Sequence, residues 1–89
     1  MHAVLVKVQI KSGRYDEAIQ SLQTNVLPQV TGAPGFVRGT WFGDHETGHG
    51  LVVFESEQQA QAMAGMVSAE ADDPVEIQDV KVYEVHAEA

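Results

Sequence analysis

The sequence contains no cysteine, which excludes disulfides, thiolate metal sites, thiol nucleophiles and CxxC redox chemistry and fits a reducing compartment. Positive charge is scarce. Five Lys and Arg stand against thirteen Asp and Glu, a net charge of −8, and such a field repels nucleic acid and anionic lipid surfaces. No apolar run approaches a membrane span, and Met1-His2-Ala3 passes straight into alternating residues without the basic and apolar regions of a signal peptide. The expectation is a cytoplasmic protein with no nucleic-acid or membrane partner. P-loop, GxGxxG, Ser-His-Asp and HExxH patterns are also missing, which disfavours NTPases, dinucleotide enzymes and common hydrolases and leaves chemistry without a cofactor, or none.

What is present is enough for one core. The 89 residues are 44% apolar, consistent with a single domain over residues 1–89. A domain of this size removes only about 60–65% of its unfolded surface from water, so its margin is thin without a staple or a partner subunit. With no cysteine, a second copy is the expected source of extra burial.

Val4, Val6, Val8 and Ile10 alternate with Leu5, Lys7 and Gln9, the period of a strand over residues 2–10. Beyond Lys11-Ser12-Gly13, the residues Tyr15, Ala18, Ile19, Leu22, Val26 and Val30 recur at helical spacing, with Asp16 and Glu17 near the helix start. Pro28 inside this stretch predicts a kink, or a stop near Leu27 followed by one more turn. Thr31-Gly32-Ala33-Pro34-Gly35 is a turn leading into a strand over 36–43. A polar hairpin loop over 44–48 precedes a short strand over 50–55. Ser56 caps a second helix, with Gln59 three residues on and Ala60, Met63, Ala64 and Val67 along one stripe. An acidic loop over 69–74 leads to a last strand over 75–86, where Val80 and Val82 face one way and Tyr83 and Val85 the other.

The order is βαββαβ, an α+β ferredoxin-like pattern in which two helices cover one face of a four-stranded antiparallel sheet. The other face stays bare. It carries Leu5, Trp41 or Phe42, and Tyr83 or Val85, and an apolar sheet face of several hundred Å2 marks an interface or a pocket. A homodimer stacked through that open face is the expected assembly.

Leu27-Pro28, then Ala33-Pro34-Gly35-Phe36 opening the second strand, then Val53-Phe54-Glu55-Ser56-Glu57 running into an alanine-rich helix, resembles the antibiotic-biosynthesis-monooxygenase branch of the dimeric α/β barrel superfamily. The resemblance spans nearly the whole chain. It implies a homodimer with a cavity between sheet and helices or between two sheets. Members include oxygenases without cofactor acting on electron-rich aromatic rings, heme degraders, isomerases and proteins of no known activity, so the fold does not choose the function. Heme degraders in this branch use an Asn on the first strand with a Trp and a His; here that strand offers Lys7 and Gln9, the second helix has no His, and the single Trp is Trp41 on the second strand. That site is not carried over, and no cofactor is expected.

Residues able to carry chemistry are few. His45 and His49 flank the hairpin turn among Asp44 and Glu46; the group reads as a solvated turn rather than a metal centre, because it lacks a rigid supporting shell. His49 could instead face a pocket as a general base. His2 and His86 read as surface residues. Trp41 and Phe42 are consecutive, so one enters each layer, either as packing or as a stacking platform for a ligand. Tyr83 has the same ambiguity. Arg38 and Lys7 sit mid-strand, where a cation forms a bridge between subunits or anchors a substrate anion. The functional expectation is a small monooxygenase-like protein acting on or binding an aromatic or polyketide-like molecule. His49 and Arg38 would be catalytic; Lys7, Trp41, Phe42, Met63 and Tyr83 would line the site. The alternative is a dimeric module, without catalysis, that binds a ligand or a protein.

Overall fold

A computed structural model describes residues 1–89. Strand β1 (His2–Ile10) leads to helix α1 (Tyr15–Ser21), a π-helical turn (Leu22–Val26) and α2 (Leu27–Thr31). Then follow β2 (Phe36–Gly43), β3 (Thr47–Phe54), α3 (Glu57–Ala64) and β4 (Val75–Glu84). The strands form one antiparallel sheet in the order β2-β3-β1-β4. This is the ferredoxin-like arrangement expected from the sequence, with α1, α2 and α3 on one side. No helix is long and apolar enough to cross a membrane.

Alternation decides which side chains reach the helices. Val4, Val6, Val52, Phe54, Val80 and Val82 point toward them and join Val30, Ala60 and Met63 in the core, where Phe54 and Ala60 are fully buried. Phe36 meets Phe54 edge-on, with ring centroids 6.4 Å apart. Ser56 caps α3 as the sequence predicts, accepting a hydrogen bond from the Gln59 backbone N–H at 3.2 Å.

Pro28 is absorbed rather than terminating the helix. Its missing N–H and bulky ring would break an α-helical turn; the chain instead widens into a π turn just before it, where the Leu27 N–H bonds the Leu22 carbonyl five residues back. The wider turn shifts the phase of the apolar stripe, so Val26, expected to be buried with Ala18 and Val30, is exposed. Strand β3 starts at Thr47, three residues earlier than the sequence predicts, because the Asp44 carboxylate folds the loop tightly. Its Oδ1 accepts from the backbone N–H groups of Glu46 and Thr47, both at 2.8 Å, while Asp44 N–H donates to the Thr47 carbonyl. Helix α3 stops at Ala64, so Val67 lies beyond its stripe, and β4 ends at Glu84, two residues short of expectation.

Those two backbone bonds hold the Asp44 carboxyl below its usual range, the Thr47 N–H contributing most, then Glu46, with smaller help from His45 and His49. A carboxylate depressed in the folded state contributes stability that is present above its unfolded pKa and lost as pH falls through the folded value. Wild-type stability is therefore expected to drop between about pH 5 and pH 2. In Asp44→Asn, which keeps the accepting oxygen but not the charge, that drop is expected to be shallower. Urea melts across this range check it; parallel curves for the two proteins would refute it.

Candidate functional site

The open face is built row by row across the sheet. Cross-strand partners share a face, so Tyr83, Ala3, Val53 and Arg38 form one row, Lys81, Leu5, Leu51 and Thr40 the next, and Asp79, Lys7, His49 and Phe42 a third. Phe42, Tyr83 and Leu51 are 53%, 48% and 39% exposed there. A bulge at Val37 settles where Arg38 points: Phe36 pairs with Phe54 on the helix side and Arg38 with Val53 on the open side. Three of the five Lys and Arg, namely Lys7, Arg38 and Lys81, therefore gather on this face of an acidic chain.

In the third row the imidazole of His49 stacks on the ring of Phe42, centroids 5.1 Å apart and planes 10° from parallel. His49 Nδ1 is enclosed and has no hydrogen-bond partner. Lys7 is the direct neighbour of His49 on β1. Lys81 lies 3.9 Å from Asp79, and Arg38 pairs with Glu88, so among the cations of this face Lys7 alone has no carboxylate in ion-pair range. Arg38 is four residues from His49 along the strand, roughly 13 Å, and does not share its row.

Of the residues expected to line one pocket, the structure brings Lys7, His49 and Phe42 together and sets Tyr83 and Arg38 on the same face farther down. Trp41 and Met63 lie on the opposite side of the sheet, against the core. The indole lies flat over the backbone of Gly39 and Gly50, where an added Cβ would approach it to 2.7 Å in each case. Those glycines are what let so large a ring lie on the sheet, and the packed indole fills the space. No side of one chain touches the whole set.

The hairpin histidines also part company. His45 stacks on Tyr15 at the start of α1, with centroids 3.9 Å apart, so it ties the hairpin tip to the first helix. His86 is a surface residue, as expected. His2 is not. Its side chain is only 19% exposed, beside Glu57, and its Nδ1 is enclosed without a partner; even-numbered β1 residues face the helices, and that parity places it there. No group of three metal-ligating side chains gathers anywhere in the chain.

Two surface hollows flank the loop before β4. One of about 370 Å3 runs between Glu17, Gln20 and Thr24 and the acidic stretch Asp72-Asp73. The other, of about 670 Å3, lies between Lys11, Val67, Glu70 and the start of β4 at Glu76. Arg14 clamps this region by donating to both Glu17 carboxylate oxygens and to the backbone carbonyls of Asp72 and Asp73. Nothing in the sequence marked Arg14 for this, since two of its three partners come from a loop nearly sixty residues away.

The sequence matches no family model and no curated protein. Among solved structures, the chain is similar to the heme-degrader MhuD from Mycobacterium tuberculosis with two hemes bound in its active site. The TM-score is 0.74 at 15% identity, over 100% of this chain and 99% of that one. It is likewise similar to an arginine-to-serine variant of MhuD with two manganese protoporphyrin IX bound per active site, with a TM-score of 0.71 at 15% identity over 100% and 98% of the two chains. The resemblance read from the sequence therefore holds at the level of the fold.

Proposed function

We propose that this protein works as a homodimer that holds a small planar aromatic anion against its open sheet face, with monooxygenase-type chemistry on that ligand centred on His49. The observation that carries this reading is the row Phe42, His49, Lys7: a stacked pair of rings beside an ammonium group without a carboxylate of its own. A flat ring laid beside Phe42 brings an acidic hydroxyl or carboxylate within reach of Lys7. A phenol that gives its proton to His49 becomes a phenolate facing that cation, the electron-rich form that dioxygen oxidises. The fold agrees, because MhuD degrades a large flat ring system on the same framework.

Exposed Phe42, Tyr83 and Leu51, one in each row and interleaved with Lys7, Lys81, His49 and Thr40, support pairing, since large apolar side chains gain from leaving water. A second copy stacked on it supplies the burial that a small domain lacks.

The two hollows beside β4 do not suit heme. The two hollows carry Glu17, Asp72, Asp73, Glu70 and Glu76, which repel propionates, and they offer no His, Cys, Met or Tyr to an iron. One observation favours the second reading, a ligand-binding dimer without catalysis: the helix-side space beside Trp41 is filled by the indole itself.

Calorimetric titration with a panel of hydroxylated aromatic acids, run beside oxygen-uptake assays, tests these readings. At least one compound is expected to bind, and Lys7→Ala to weaken it by roughly tenfold or more, the usual worth of a hydrogen bond to a charged group. Trp41 emission is expected to stay unchanged, because the indole lies in the other layer. Strong quenching would move the site to the helix side. Binding without oxygen uptake selects the non-catalytic reading, and affinity indifferent to both Lys7→Ala and His49→Ala would remove the open face as the site.

A further inference from the structure

We propose that the C-terminal tail exchanges between the two copies, Glu88 of each chain pairing with Arg38 of the other; this rests on the face-to-face pairing proposed above. After β4 the chain turns onto the open face. Val85 N–H donates to the Met1 carbonyl at 3.0 Å, and the Glu88 carboxylate pairs with Arg38 on the opposite edge strand. Ala3 and Val53, in the row between Tyr83 and Arg38, face away from the helices and are nevertheless buried. A tail that runs from the end of β4 to Arg38 crosses that row, which accounts for their burial.

An extended tail there and a second sheet at the usual spacing of about 10 Å cannot occupy the same space. Pairing therefore lifts the tail. Little opposes this: one backbone hydrogen bond, and one ion pair whose Arg38 side chain is more than half exposed.

Strand order says where the lifted tail goes. The end of β4 and Arg38 of β2 lie at the same end of the strands but on opposite edges of the sheet, three strand spacings or about 14 Å apart. A two-fold axis running along the strands, midway between two stacked sheets, lays β4 of one copy over β2 of the other with strand ends matched. Arg38 of the partner subunit then stands across a gap of about 10 Å, nearer than the chain's own. Exchange remakes an identical ion pair, the circumstance in which swapping costs least. It also sets cation against carboxylate between two chains that each carry −8, whose approach is otherwise opposed by repulsion.

Charge reversal tests this on the full chain. Four samples go to sedimentation velocity and native mass spectrometry beside wild type: Arg38→Glu alone, Glu88→Arg alone, their equimolar mixture, and the double variant. Each single variant is expected to dimerise at least about tenfold more weakly than wild type. The mixture is expected to form a one-to-one heterodimer of wild-type strength, because only there do both bridges re-form between chains, and the double variant is expected to recover as a homodimer. A mixture that behaves as the average of its two components overturns the exchange and leaves an internal strap. Single variants that dimerise as tightly as wild type overturn it equally. A wild-type chain that stays monomeric overturns the face-to-face pairing itself and the exchange with it, an outcome distinct from the other two. Circular dichroism of each variant confirms folding.

Discussion

Phe54→Ala is expected to lower the thermal midpoint by at least about 15 °C, and to leave much of the protein unfolded at ordinary temperature. Phe54 is fully buried, closes β3 against α3, and meets Phe36 edge to face. Truncating a phenylalanine in such a place costs about 3–5 kcal/mol through lost transfer energy and the cavity left behind. Whole-domain stability is about 5–15 kcal/mol, and a chain this short sits toward the lower end. Since 1 kcal/mol moves the midpoint of a domain this size by about 4–8 °C, the loss is large on any melting curve. Circular dichroism melts of the variant and wild type at equal protein concentration decide it. A shift below about 5 °C would place the centre of the core elsewhere.

The second large effect concerns association. Leu51 lies near the middle of the open face, between Leu5 and Thr40, and is 39% exposed in the single chain. Leu51→Glu therefore has room in an isolated subunit and little reason to disturb its fold. Stacked face to face about a two-fold axis, two such carboxylates lose their water in an apolar row, a cost of several kcal/mol that the diagonal neighbour Lys7 offsets only in part. The dissociation constant of the dimer is expected to rise by about 100-fold or more. Analytical ultracentrifugation over a dilution series measures it. A variant that associates as tightly as wild type would move the interface off this face.

Much of the architecture was legible because it follows from short-range rules. The alternation of β1, the Ser56 cap, the turn before Phe36 and the helix stripe through Ala18 and Val30 each depend on neighbours in the sequence, and each stands where those rules put it. The departures come from effects that a stripe cannot express. A proline was accommodated by a widened turn that rotated Val26 into water, and a single aspartate shortened a hairpin loop by bonding two backbone N–H groups. The candidate site was less legible still. That Trp41 and Phe42 enter different layers was certain from their adjacency, but which ring goes where depends on register, and the register of β2 is reset by one extra residue at Val37. Grouping Met63 and Trp41 with Phe42 and Tyr83 ignored the sheet between them. Lys7 beside His49 is a contact across β1 and β3, over forty residues apart, and no local pattern announces it.

The strand order also constrains how the chain is made. β1 leaves the ribosome before the other three strands of the sheet, yet it lies inside the finished sheet, with β3 on one flank and the later-emerging β4 on the other. Throughout synthesis, then, a valine-rich ribbon waits with one hydrogen-bonding edge unmet, open to pairing with any other nascent copy on the same message. The hairpin of β2 and β3, joined by a turn of three residues, can close on its own and meet one flank early. The other flank must wait for β4, so a pause in translation between β3 and β4 lengthens the time that edge stays open to aggregation.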